Sequence, residues 1–298
     1  MASSQDPMVQ RRRLRAELRK AREAAGLSQK DVAPAMDWSL SKLIRIETGV
    51  VGISINDLKV LLQLYQITEP GRIQAMINMA RAAKEPAWWA PYKDSISSEF
   101  SAFLSYESAA SIIRNFEPFL VPGLLQTDEY ARATLAALLP PVARTDVETV
   151  GQVDSLVELR IERQERLAQR TDQPKVFFAI DEAVLYRWVG GPDVMRRQLE
   201  RIKSALSAPD FVIWIVPFEA GLYQRLRGAY LLFELPTPDE SEDILYLEDL
   251  RGELLIRDDF QDAAIYLEAF WNIEQIALKN ERAIDVVNQA ISRAESRS

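Results

Sequence analysis

Residues 27–49 read LSQKDVAPAMDWSLSKLIRIETG, and this stretch decides the fold of the N-terminal part of the chain. Ser28 can cap a helix through its side-chain oxygen, and Asp31 three residues on completes a capping box. That helix is predicted to run to about Met36. Asp37 and Trp38 fill a short connection. Ser39 then starts a second helix, which stops at Gly49, a residue suited to the left-handed turn after a helix. Two short helices across a tight turn make a helix-turn-helix, whose second helix enters the DNA major groove.

The second helix divides by face. Leu43 and Ile46, three apart, point to the core. Ser39, Leu40, Ser41, Lys42, Ile44 and Arg45 remain for the other faces. Arg45 can bind guanine O6 and N7 with two hydrogen bonds, and Leu40 or Ile44 can touch a thymine methyl. Lys42 can reach a phosphate or a base, and Ser41 can bond to either. At the first helix's start, Gln29 and Lys30 can anchor to phosphates. The competing reading is an ordinary helical hairpin with a solvated basic face.

Residues 22–49 closely resemble the helix-turn-helix of Cro and phage repressors, the XRE family. The matching residues are Arg22, Gly26, Leu27, Ser28, Gln29, Val32, Ala33, Ser39, Leu43, Ile46, Glu47 and Gly49. The resemblance covers roughly residues 11–65 and implies a five-helix, double-stranded-DNA-binding domain. It also implies that Arg22 pairs with Glu47. Pro34, inside the first helix, and Trp38, bulky for a turn, depart from the pattern and bear on how the second helix is presented.

The chain has 298 residues, enough for two domains, and a hydrophobic share of 48% that suits a soluble globular protein. It has no cysteine and no histidine, which removes disulfides, thiolate zinc sites and Ser-His-Asp or Cys-His catalysis. No apolar run approaches a membrane span and no signal peptide is visible, so the cytoplasm is the expected location. MASSQDP reads as an expression scar, with Met8 the native start. Net charge is −8, yet residues 8–65 carry eleven Lys/Arg against six Asp/Glu, and residues 66–298 carry 25 against 37. A small basic domain is thus joined to a larger acidic one, and DNA contact is confined to the first.

In order, residues 11–25 form a basic helix with Leu14, Leu18 and Ala21 inward. Arg11, Arg12, Arg13 and Arg15 make either a phosphate-binding arm or a solubilising tail. Ser54 and Asp57 open another helix, with Leu58, Leu61, Leu62 and Tyr65 inward, and residues 69–84 form a fifth with Ile73, Met76 and Ile77 inward. The expected boundaries are a helix-turn-helix domain at 8–84, a linker at 85–96 around EPAWWAPY, and a second domain at 97–298. In the second domain a helix follows Ser97, a short extended piece covers 111–116, and Thr127 caps a further helix. Thr145 with Glu148 caps a long helix to 170, either central or a dimer helix. Strands are expected at 175–181, 211–217, 229–235, 243–249 and 253–257, with a helix at 192–207. Asp258 with Gln261 opens a helix to about Lys279, and 283–293 form a last one. The fold class is α+β: an all-α five-helix domain, then a larger mixed α/β domain with a small sheet.

The segments VPGLLQTDEYAR (121–132), LRIERQERL (159–167), DEAVLYRWVGGPDVMRRQL (181–199) and IVPFEAGLY (215–223) resemble the uncharacterised domain that follows XRE-type helix-turn-helices in many actinobacterial regulators. Some of those are encoded beside a small acidic partner protein and behave like antitoxins or developmental regulators.

Two further site readings arise. Asp181, Glu182, Glu248 and Asp249 at strand ends could hold Mg²⁺, or simply cap helices and satisfy loop backbones; the second is favoured, and neither metal nor cofactor nor enzymatic activity is expected. Tyr186, Trp188, Trp214, Tyr223 and Tyr230 with Arg187, Arg225 and Arg227 make a ligand- or partner-binding wall, or an aromatic core with exposed arginines. The loop 218–228 is where a lid or a partner contact is expected. The expected whole is a homodimeric DNA-binding transcriptional regulator whose second domain senses a ligand or partner. The alternative is an antitoxin-like protein that binds a small partner and regulates its own gene.

Overall fold

The computed structural model describes residues 7–48, 51–138, 147–224, 226, 228–235, 242–248, 254–257 and 260–297. The chain divides into two compact units, Met1–Ala90 and Pro91–Ser298, and the division falls inside residues 85–96.

The first unit holds five helices: α1 (Pro7–Ala24), α2 (Gln29–Ala35), α3 (Leu40–Glu47), α4 (Ile55–Leu64) and α5 (Pro70–Ala82). Their apolar stripes meet in one core, with Leu18, Val32, Leu43, Leu58, Leu61, Leu62 and Met76 almost wholly covered. Each such side chain contributes about 1.5–3 kcal/mol relative to exposure. α1, α2 and α4 end the same way. Gly26, Asp37 and Gln66 take φ of 69°, 55° and 59°. The amide of each reaches back three residues, and the next amide reaches back five: Leu27 to Arg22 O at 3.2 Å, Trp38 to Ala33 O at 2.8 Å, Ile67 to Leu62 O at 3.0 Å. This closes the orphan carbonyls at a helix end. Glycine does so freely at position 26; Asp37 and Gln66 do so against a steric cost.

The second unit is built on a six-stranded sheet in the order β3-β2-β1-β4-β5-β6. Its strands are β1 (Ile112–Glu117), β2 (Lys175–Asp181), β3 (Phe211–Val216), β4 (Tyr230–Leu235), β5 (Glu242–Glu248) and β6 (Leu254–Arg257). β1, β2 and β3 run parallel, joined by helical crossovers; β4 to β6 form an antiparallel meander. The short extended piece expected at 111–116 is therefore a central strand, hydrogen-bonded on both sides.

One sheet face packs Phe116, Ala179, Trp214, Tyr230, Leu232 and Leu245 against Phe270 and Ile273 of α11 (Phe260–Ile276). On the other face, Phe103 of α6 (Ser98–Ala109) meets Phe233 and Tyr246 at ring distances of 5.3 and 4.5 Å. α7 (Asp128–Leu138), α8 (Val147–Ala168), α9 (Ala183–Tyr186) and α10 (Pro192–Leu206) complete the crossovers, and α12 (Asn280–Glu295) packs on α10. Asn280, at φ 51°, marks the break between α11 and α12.

Ser97 and Thr127 cap α6 and α7, accepting from the amides of Phe100 at 3.0 Å and Tyr130 at 3.3 Å. The caps expected at Thr145 and Asp258 lie outside the described residues, as does the stop at Gly49. In α8, Val153, Val157 and Leu159 are buried within the unit itself, so these side chains are not free to form a dimer seam.

Candidate nucleic-acid interface

At the start of α2 the backbone amide and hydroxyl of Ser28 both donate to Asp31 Oδ2, at 2.8 and 2.6 Å. These bonds hold the Asp31 carboxyl below its ordinary range. Pro34 sits near the end of the helix and is exposed, and its carbonyl accepts from Asp37 at 3.1 Å. A proline there removes one amide but leaves the turn intact.

Ser39 caps α3, its side chain accepting from the Lys42 amide at 3.1 Å. Leu43 and Ile46 are buried at 0% and 3% exposure, which fixes the helix rotation. Leu40, Ser41, Lys42, Ile44 and Arg45 are exposed. Ser41 and Arg45, four apart, form one row, and Leu40 and Ile44 the next. Arg45 forms no ion pair among the described residues. Lys42 is different: its ammonium lies 4.0 Å over the Trp38 ring and 3.7 Å from Asp57. Trp38 itself packs partly into the core, so its bulk is absorbed by the turn. An exposed pair of this kind is worth about 0–1 kcal/mol and yields to a phosphate.

A buried network sets the distance between α1, α2 and α3. Arg22 Nε donates to Glu47 Oε1 at 2.7 Å and Nη2 to Oε2 at 3.3 Å, with the Glu47 side chain 5% exposed. Arg22 Nη1 donates to Leu27 O at 2.9 Å, and Gln29 Nε2 to Glu47 Oε2 at 2.7 Å. The bond to Glu47 raises the Arg22 pKa. Gln29, expected at a phosphate, thus spends its amide on Glu47, while Lys30 stays exposed. The basic run on α1 is also partly committed: Arg11 donates to Ala83 O at 3.1 Å, and Arg15 to Thr48 O.

The second unit's aromatic candidates do not form one wall. Trp214 and Tyr230 belong to the core against α11. Tyr223 packs edge-on to Phe116 at 5.9 Å, and its hydroxyl donates to Asp181 Oδ2. Tyr186 stacks with Phe218 at 6.0 Å beneath Arg293, and Trp188 lies under Arg297 at 5.4 Å. Arg187 is exposed; Arg225 and Arg227 lie outside the described residues.

Two of the strand-end acids, Asp181 and Glu182, are occupied by the chain. Asp181 Oδ1 accepts from the Ala183 amide at 2.8 Å, and Glu182 Oε2 from the Phe218 amide at 2.8 Å. Asp249 lies outside the described residues. Among the described residues no group of three acids, histidines or cysteines could hold a metal ion, and no helix is long and apolar enough to cross a membrane.

Sequence reasoning missed the polar layer under α8. Arg163 grips Glu107 through both oxygens, at 2.5 and 2.6 Å, and both residues are buried. Arg160 donates to Gln126 Oε1 at 2.5 Å. Burial and the nearby Arg163 pull its guanidinium down to about 10, and it remains charged. Below it, Phe116 pairs with Tyr230 and Tyr230 with Leu247, so Glu117 and Glu248 flank position 229 on the same sheet face. Burial, with Glu248 nearby, pushes the Glu117 carboxyl up to about 8. The signal was present: Arg160 and Arg163 follow Val153, Leu156, Val157 and Leu159 at helical spacing, where apolar residues belong.

Those arginines meet the loop 121–127. Gln126 Nε2 donates to Val121 O at 2.7 Å, and Gln164 Nε2 to the carbonyls of Gly123 and Gln126, each at 2.9 Å. Gln198, wholly buried, donates to Leu125 O at 2.8 Å and accepts from the Thr127 amide at 2.7 Å. A Cβ on Gly123 would stand 3.1 Å from Arg163 Nη1, so the loop comes close to α8 only without a side chain there.

Residues 13–72 match the family described as a helix-turn-helix domain. Residues 100–289 match the family described as "Domain of unknown function (DUF5753)". No curated protein and no solved structure matches the chain. With close to two thirds of its length covered by that second match, the chain belongs to the DUF5753 family and carries a helix-turn-helix domain ahead of it.

Proposed function

We propose that this protein is a sequence-specific DNA-binding regulator of transcription, acting in the cytoplasm as a homodimer, with a DUF5753 unit that receives a ligand or partner signal. The observation that carries the reading is the outer face of α3: Ser41, Arg45, Leu40 and Ile44 are exposed in two adjacent rows on a helix whose rotation is fixed by buried Leu43 and Ile46. Such a face suits direct reading of base edges. One helix-turn-helix reads few base pairs, so two half-sites about one helical turn apart are expected. The acidic balance of residues 66–298 supports a role other than DNA contact for the second unit. In-vitro selection with the full chain tests this. A two-fold symmetric motif is the expected result, and recovery of random sequence would reject the reading.

A second reading, an antitoxin-like protein that binds a small partner, is favoured by Phe218, Leu222 and Trp271, exposed at 57%, 87% and 54%. The Asn272 amide reaches Gln224 Oε1 at 3.5 Å, bringing the loop beside α11. Purification with co-expressed neighbouring genes separates the two: a stoichiometric complex with a small protein, lost in Leu222→Glu, supports the second, and its absence the first.

A further inference from the structure

Two helices of the first unit open on the same Ser-x-x-Asp signature and use it differently: α2 with Ser28 and Asp31, α4 with Ser54 and Asp57. In α2 the carboxylate turns back on its own cap, with Asp31 Oδ2 accepting from the Ser28 amide at 2.8 Å. In α4 the serine plays its part, Ser54 Oγ accepting from the Asp57 amide at 3.0 Å. The Asp57 carboxylate instead reaches across to α3, where Oδ2 stands 3.7 Å from Lys42 Nζ. Capping therefore does not account for its direction.

Lys42 is held from two sides. Its ammonium lies 4.0 Å over the ring of Trp38, which is anchored by packing against the core. On the other side stands Asp57, in the first turn of α4. Lys42 is one turn ahead of buried Ile46, so it borders the exposed face of α3 that carries Ser41 and Arg45. Both charges stay wet, with the Lys42 and Asp57 side chains 43% and 40% exposed. At that exposure the pair is weak, and a phosphate oxygen competes with it for the ammonium.

We infer that Asp57 is an internal competitor for DNA: its carboxylate holds the lysine that a phosphate would take, and Trp38 keeps that lysine at the flank of α3. The inference rests on the DNA-binding reading of this helix. A phosphate contact by Lys42 first breaks the pair and then leaves Asp57 close to the polyanion. Both effects lower affinity, and only the first depends on Lys42. Asp57 thus sets affinity as a positioning residue, without touching a base.

The test titrates the full chain with two duplexes, one of random sequence and one carrying the motif recovered by in-vitro selection. Asp57→Asn keeps the backbone amide that bonds to Ser54. It is expected to tighten binding to both duplexes about three- to fivefold, the upper end of what an exposed ion pair is worth. In a Lys42→Met background the same change is expected to tighten binding less than about twofold, since only screened repulsion remains. A loss of helix stability would weaken binding, so the direction separates competition from a purely structural role. No tightening by Asp57→Asn, or equal tightening in the two backgrounds, would overturn the inference and leave the DNA-binding reading standing. A full chain that binds neither duplex would overturn both.

Discussion

Arg22 holds Glu47 across the first unit, from α1 to the last turn of α3, through two bonds of 2.7 and 3.3 Å. An acid at a helix C-terminus opposes the helix dipole, and here Arg22 and the Gln29 amide answer it. Glu47 is therefore a structural residue that places the recognition helix, and Arg22 is withdrawn from DNA contact.

Removing Glu47 strands a buried guanidinium. Glu47→Ala is expected to cost about 3–5 kcal/mol in the first unit. The check is native-state hydrogen exchange of the α3 amides in the full chain. Protection reduced by less than about 1 kcal/mol, the worth of an exposed pair, would return Arg22 to the DNA contacts.

Arg45→Ala is expected to relax sequence preference at one or two positions, at a cost of about 1–3 kcal/mol. Lys30→Ala should weaken binding to all sequences alike and reduce the salt slope by about one unit. Competition binding over a range of salt concentrations distinguishes the two. An unchanged Arg45→Ala profile would mean that another face of α3 reads the bases.

Under α8, Glu107→Ala should destabilise the second unit by about 3–5 kcal/mol, because Arg163 remains buried without its partner. The double change Glu107→Leu with Arg163→Met should recover most of that loss, since an apolar pair avoids desolvation altogether. Urea midpoints of the three proteins measure it. A double variant no better than the single one would place the worth of Arg163 in its contact with Phe103, at 4.7 Å, rather than in its charge.

The Glu117 carboxyl, pushed up to about 8, makes stability depend on pH. Between the unfolded value of about 4.3 and the folded one, the native state holds a proton that the unfolded chain has lost. This contribution is fully present at low pH and disappears as pH rises through about 8. Glu248, also raised by burial, acts in the same direction. Glu117→Gln is expected to gain on the wild type between pH 5 and pH 8, by about 1–4 kcal/mol. Chemical unfolding at both pH values tests this, and parallel losses in the two proteins would show that Glu117 is solvated.

The α3 surface was legible because one local pattern dictates it. Leu43 and Ile46 set the buried side by spacing alone, and Leu40, Ser41, Lys42, Ile44 and Arg45 fall on the exposed side. The Arg22–Glu47 pair was reached only through a resemblance, since spacing does not join residues 25 apart. The second unit was legible as elements, because short apolar runs bounded by turns read as strands whatever their neighbours. Their order was not: residues 111–116 read as a short extended piece, and only pairing with both β2 and β4 makes them a central strand.

By itself, then, the sequence determined the helix-turn-helix, its charge separation from an acidic second unit, and most element types, all of which depend on near neighbours and composition. The tertiary structure decided which polar side chains are buried. Arg163 and Glu107 stand 56 residues apart, and nothing local joins them until the sheet and α8 close over them. Trp214 and Tyr230 fit either a ligand wall or an aromatic core by sequence, and α11, by covering them, makes them core. Burial is a property of what packs on top, and the residues that do so come from distant parts of the chain.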